Sequence, residues 1–417
     1  MIAAGAALAS GVVGVAAAAC GPGSGTTQPP PATDLSGNLT VWSYTTQSIP
    51  QSAIEGFRQA NPKVTIDQVQ PAGDFRGQGF IVAAAGGTPP DLLHLNLDFM
   101  PMYIEKGLLA PITRAVKQGT FGDMGVYLPG ILDNGVYKGE TYFVPHRQSV
   151  NTSVYNPELL SREGIARPPM TWDEVKDGAV RLTKRSPDGT DVFGVGVDTS
   201  KSTLNSWFNP LLWQAGGELF SADGKRVAFD QPPARDALEF LVDLFVTLRA
   251  GAEGKGPFEQ GKVAFFNQYA QSNVRNSKAK AAPWLAVGPV WQGKKRVGFG
   301  SLAGWVVPKG QQAELATQFL AFSLKPPYVR EFLAATAFLP VRKDIAPDYF
   351  DAADRAWVQV FMDEAKYMHY DILHPQVREV MPLAAAELLK AVHGQVSVQA
   401  ALQEASRVTN AYMDQNP

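Results

Sequence analysis

Eight aromatic side chains, Trp42, Tyr44, Trp207, Phe208, Trp213, Trp284, Trp291 and Trp305, fall mostly at the ends of apolar runs or in polar loops. A ring in such a place offers a flat apolar face to the carbon side of a sugar, while nearby Asp, Asn, Arg and His side chains bond its hydroxyls. Core packing is the competing reading for each ring taken alone. It is the set, gathered at expected strand ends, that points to a ligand cleft. Asp98 is the carboxylate best placed to join them. It follows the apolar run 92–95 and lies where an open α/β sheet presents ligand-binding loops, beyond the carboxyl end of a strand. A solvated loop aspartate is the alternative there.

Other chemistry is missing. The chain has no phosphate-binding G-x-x-x-x-G-K-[ST] loop, no H-E-x-x-H helix and no G-x-S-x-G elbow. The histidines at 94, 146, 369, 374 and 393 never fall four apart, the spacing that sets two ligands on one helical face. Asp188-Gly189-Thr190-Asp191 has the look of a calcium loop but lacks the further oxygen ligands and the closing glutamate, so it reads as a turn. No metal, cofactor or catalytic group is therefore expected. A net charge of −2 with no basic, aromatic-interleaved patch also removes nucleic acid from the list of partners.

The elements that must position these residues follow from periodicity. At 417 residues the chain exceeds the size at which one core usually divides, so two domains are expected. A strand at 38–42, a helix ended by Asn61-Pro62, a strand at 64–69, a helix stopped by Gly86-Gly87 and a buried strand at 92–95 imply βαβ units and a parallel sheet. Fresh strands are expected at 150–155, 192–197 and 300–308. Thr171 with Glu174 forms a capping box for a helix to Leu182, and Pro232-Pro233 opens an amphipathic helix. The last third is expected to be helical. At the other end, residues 2–19 are small or apolar and lead to Cys20-Gly21, the pattern of a secretory h-region with its cleavage site. The Cys20 position resembles a bacterial lipoprotein signal, whose thiol receives a diacylglycerol. No Lys or Arg precedes Arg58, and a transmembrane helix is the competing reading. Residues 21–36, rich in Gly, Ser, Thr and Pro, read as a flexible tether.

Taken together, Leu39-Thr40-Val41-Trp42-Ser43, Ala85-Gly86-Gly87-Thr88-Pro89-Pro90-Asp91-Leu92, Gly107-Leu108-Leu109-Ala110-Pro111-Ile112, Tyr137-Lys138-Gly139, Ala215-Gly216-Gly217, Gly304-Trp305-Val306-Val307-Pro308 and Leu339-Pro340-Val341 resemble, in order and spacing, the solute-binding lipoproteins of ABC importers. The likeness is to the branch that includes the maltose-binding protein. It implies an α/β, two-lobe, periplasmic-binding-protein-like type II fold with a hinge and an interlobe cleft. The expected lobes are 37–145 with 292–342 and 146–291 with 343–417, after a 1–20 signal and anchor. It also implies a sugar as ligand, no enzymatic activity, and a monomer lipid-anchored on the extracytoplasmic face of the cell membrane. That monomer would serve separate permease and ATPase subunits.

Ligand residues carry over one by one. Asp98 matches a loop aspartate that bonds sugar hydroxyls. Trp42 and Tyr44 match the first ligand loop, although Thr46 and Gln47 replace its charged residues and Ser149 stands where another carboxylate is usual. His146 and Arg147 fall at the crossing point between lobes, Trp207 where rings line the sugar, and Trp305 at a ring-stacking position. A receptor for glycerol-phosphate or a polyol is a second expectation, with Arg147 meeting the anion. A secreted glycoside hydrolase is a third, from another class, and would need two facing carboxylates.

Overall fold

The computed structural model describes residues 35–187, 191–199 and 203–416. The signal and anchor expected at 1–20 with Cys20, almost all of the tether, and Asp188, Gly189 and Thr190 lie outside them. Among the described residues no helix is long and apolar enough to cross a membrane.

The strand Ser36–Trp42 runs parallel to Lys63–Val69 on one side and to Leu92–Asn96 on the other. Parallel neighbours need a crossover. The helix Gln51–Ala60 provides the first, burying Ala53, Ile54 and Phe57 on one face. Phe57 meets Phe319 and Phe322 edge-on at 5.1 and 5.4 Å, which ties this helix to Ala313–Ser323. The Gly86-Gly87 stop works as the sequence implies: Phe80–Ala85 ends there and Gly87 takes a left-handed φ of 75°. Leu92, Leu93 and Leu95 then form a strand buried on both faces.

Two long antiparallel strands carry the chain between halves of the molecule. Phe143–Tyr155 and Gly298–Pro308 lie side by side at the centre of one hydrogen-bonded path. On one side the path continues to Leu92–Asn96 and its parallel neighbours. On the other it continues to Val263–Ala270, Phe193–Val197 and Gly251–Glu253. The sequence expects a fresh strand only at 150–155, whereas the structure begins it at Phe143 and runs it through Pro145. Along it Pro145 pairs with Gly304, Arg147 with Ala303, and His146 is left over as a β-bulge. Proline has no N–H for the ladder, so a bulge beside it costs little.

A third segment, 368–371, runs along the start of Gly298–Pro308. Gln148, fully buried, fastens these crossings. Its side chain donates to the Pro340 carbonyl at 2.7 Å and accepts from the Tyr370 hydroxyl, and its backbone pairs with Leu339.

Three apolar cores flank the crossings. The first gathers Leu39, Leu95, Phe143, Trp305 and Phe319; the second Trp207, Leu211, Phe240, Trp291 and Leu388; the third Val154, Phe258, Phe266 and Trp357. The capping box is present, with Thr171 accepting from the Glu174 amide and Glu174 reaching back to the cap. The last third is helical, in Arg355–Glu364, Val377–Val392 and Val398–Gln415.

Candidate functional site

Strands of the first half end together. Beyond Trp42, the loop 44–49 is held by Gln68, whose amide donates to the carbonyls of Thr46 and Ile49 at 2.7 and 2.9 Å. Tyr44 projects from it, 46% exposed, with the Arg76 guanidinium 5.0 Å from its ring. Beyond Asn96 the chain makes a 3-10 turn, Leu97–Phe99, rather than an open polar loop, and this turn tucks Asp98 inside at 7% exposure. Asp98 Oδ2 accepts from Arg378 Nη1 at 2.6 Å, and Oδ1 is buried with no partner. Burial pushes this carboxyl up, against the pull of Arg378 and Arg76.

At the bulge, two adjacent side chains part. His146 packs inward: its ring stacks on Phe332 at 4.1 Å, and its Nδ1 accepts from Trp305 Nε1 at 3.3 Å. Burial, then Arg147, holds His146 down to about 3 and therefore neutral, as an accepting Nδ1 requires. His94, 4.7 Å from the Trp305 ring, is held well below its ordinary value for the same first reason. Arg147 turns toward the cluster. Its guanidinium lies 3.8 Å over Phe338, its exposure is 7%, and its Nε has no partner. Burial lowers Arg147 to about 10, opposed by Asp371.

Asp371 arrives on the third crossing segment. Its Oδ2 accepts from the Leu302 amide at 3.1 Å and the Ser301 hydroxyl at 3.4 Å. Burial, and then Asp98, push its carboxyl well up. Arg378 opens the helix Val377–Val392 and lies 3.6 Å over the Phe99 ring. Tyr44, Arg76, Asp98, Arg147, Asp371 and Arg378 thus form one group in mutual electrostatic reach.

The sequence-expected residues therefore divide. Tyr44, Asp98 and Arg147 converge. His146 and Trp305 form the layer beneath them. Trp42 packs half-buried on the first core. Trp207 and Trp305 are 0% exposed, in the second and first cores, so neither offers a ring face in this form, which departs from the expectation of open stacking platforms. Both sit among buried apolar neighbours that close over them. Arg76, Asp371 and Arg378 went unseen in the sequence. No local motif marks them, and the Asp98–Arg378 pair spans 280 residues.

A cavity of about 940 Å³ opens between the same halves, walled by Ile131 on one side, Phe220 and Met362 on the other, with Tyr370 and Asp371 shared. It belongs to the size range of ligand pockets. Asp371 is its only member in common with the polar cluster. Among the described residues no group of three or more His, Cys, Asp or Glu could hold a metal ion.

Comparison with known proteins agrees with this architecture. Residues 42–330 match the family model described as bacterial extracellular solute-binding protein. A putative binding protein of Brucella abortus is 22% identical over 346 residues, covering 79% of this chain and 82% of that one. A putative ABC transporter periplasmic-binding protein of Escherichia coli is 23% identical over 317 residues, covering 72% and 71%. Among solved structures, the cyclic alpha-maltosyl-1,6-maltose binding protein of Arthrobacter globiformis superposes with a TM-score of 0.78 at 23% identity, covering 91% of this chain and all of that one. The shared fold is the two-lobe, maltose-binding-protein-like α/β architecture.

Proposed function

The chain belongs to the bacterial extracellular solute-binding protein family, and from that premise we propose that it captures a carbohydrate between its lobes and delivers it to the permease of an ABC importer. One observation carries the choice of site. Asp98 Oδ1 and Arg147 Nε are buried, belong to one cluster, and lack hydrogen-bond partners among the described residues. A sugar hydroxyl donates to the first and accepts from the second, and adjacent hydroxyls on one ring do both at once. A buried carboxylate or guanidinium left unmet is costly, so a ligand that meets both gains more than its own contacts.

Tyr44, Asp98 and Arg147 contact the ligand, joined by Arg76, Asp371 and Arg378. His146 and Trp305 set the position of Arg147 from below, while Trp42 and Trp207 hold the two lobes' frames. The lobes are 37–145 with 292–342 and 146–291 with 343–417, turning about the crossing strands. The ligand's differential contacts with the closed form drive that turn. Diacylglycerol on Cys20 keeps the monomer at the extracytoplasmic face of the membrane, beside its permease and ATPase. Asp98 and Asp371 are a pair of carboxylates, as a glycoside hydrolase would need. Asp371 is nevertheless committed to Leu302 and Ser301, which favours binding over catalysis.

A thermal-shift screen of mono- and oligosaccharides on the full chain, with Asp98→Ala alongside, tests this. At least one carbohydrate is expected to raise the melting temperature, and the variant to lose affinity by roughly tenfold or more. A screen in which no carbohydrate shifts the melting point, or an Asp98→Ala protein that binds as tightly as the parent, overturns the proposal.

A further inference from the structure

Arg147 is 7% exposed, its Nε is buried without a partner, and its guanidinium makes no hydrogen bond or ion pair among the described residues. Its one strong neighbour is the Phe338 ring, 3.8 Å away. Stacking of this kind uses the flat face of the group and leaves its N–H edge free to fork an acid. Arg76 is half-buried, with its guanidinium over Tyr44 at 5.0 Å and a single long side-chain bond of 3.4 Å to Asn96 Oδ1. Arg147 and Asn96, which holds Arg76, pair with Ala303 from its two sides, so the cations sit two strands apart on one sheet, and Arg76 is among the groups that lower Arg147.

The acids nearby offset these charges only in part, Asp371 acting on Arg147 from a distance. Asp98 is taken up by Arg378 at 2.6 Å. Asp371 accepts from Leu302 and Ser301, and burial pushes it toward the neutral form. Asp74 is exposed and caps the Gln78 amide. His94 and His146 are held neutral and add no charge.

We propose that Arg147 and Arg76 form an anion subsite within the interlobe site, taking the carboxylate or phosphate of an acidic carbohydrate. This rests on the carbohydrate-receptor reading above and narrows its substrate class. The planar fork of Arg147 accepts two oxygens of the acid. Arg76, beside the Tyr44 ring, supplies the second charge, and Asp98 Oδ1 receives a hydroxyl from the ring that bears the acid.

Calorimetry on the full-length protein decides it, with D-glucuronate, D-glucose 6-phosphate and sn-glycerol 3-phosphate set against D-glucose and maltotriose. At least one acidic probe is expected to bind roughly tenfold or more tightly than the neutral sugars, and whether carboxylate or phosphate wins names the anion. In Arg147→Met that preference collapses to within about threefold. The ligand-free variant melts no lower than the parent, because an unpaired buried charge has been removed. Should Arg147→Met fail to fold, Arg76→Gln is read for the same loss of preference. Neutral sugars binding as well as acidic ones in the parent protein, or a preference that survives both substitutions, overturns the anion subsite and leaves the receptor standing. No binding of any probe, acidic or neutral, removes both.

Discussion

His146 and Arg147 are neighbours in the chain, yet they do different work because a bulge lies between them. Skipping His146 in the ladder sends its ring under Trp305 and leaves Arg147 among the carboxylates. A titration follows from that burial. His146 titrates near 6.5 when unfolded and is held down to about 3 when folded, with His94 shifted the same way. Below pH 6.5 the unfolded chain therefore binds protons that the folded chain refuses. Stability contributed by these rings is full above 6.5 and falls as pH drops below it, by up to about 1.4 kcal/mol per pH unit for each ring, the loss from His146 continuing to about 3. Asp98 and Asp371, whose carboxyls are raised, act in the opposite direction above pH 4, so the net curve mixes the two. Chemical denaturation of the parent and His146→Gln between pH 4 and 7 isolates the histidine. The variant is expected to show the shallower loss toward acid, and equal slopes would contradict the burial argument.

At the scale of elements, the crossing strands depend on a close approach. A side-chain carbon at Gly304 would run into the Val144 carbonyl oxygen and the Phe143 ring, so only glycine lets the strands meet at the bulge. Gly304→Ala is expected to cost about 1–3 kcal/mol as an overpacking change, read as a lower urea midpoint with an unchanged slope. A midpoint equal to the parent's would mean that the strands can separate without loss.

Much of this frame was legible. The apolar run at 92–95, the Gly86-Gly87 stop and the Thr171–Glu174 box are local signals whose physics needs no partner, and the structure reproduces them. The strand expected at 150–155 starts earlier, at Phe143, because the pairing with Gly298–Pro308 that extends it is not a local signal. Asp98 could be chosen from its place after a buried strand. Arg378 could not, since helix periodicity says nothing of a carboxylate 280 residues away. Trp207 and Trp305 looked like platforms because a ring at a strand end reads the same whether the fold covers it or not.

For the whole molecule, the cluster explains why a ligand should close the lobes. Asp98 belongs to the half built on the first core and Arg378 to a helix of the second, so their ion pair forms only when the halves meet. Closing without a ligand strands Asp98 Oδ1 and Arg147 Nε. Each such unmet group costs about 1–3 kcal/mol, so the empty closed form carries a penalty of roughly 2–6 kcal/mol that opening to water relieves. A carbohydrate that satisfies both removes this penalty, enough to shift an open–closed balance by roughly 30-fold or more. Small-angle scattering of the full-length protein, empty and saturated with whichever carbohydrate the thermal screen identifies, reads that shift directly. The radius of gyration is expected to fall on saturation. A carbohydrate that binds by calorimetry while the radius stays unchanged would place the ligand outside the interlobe cluster and contradict the account.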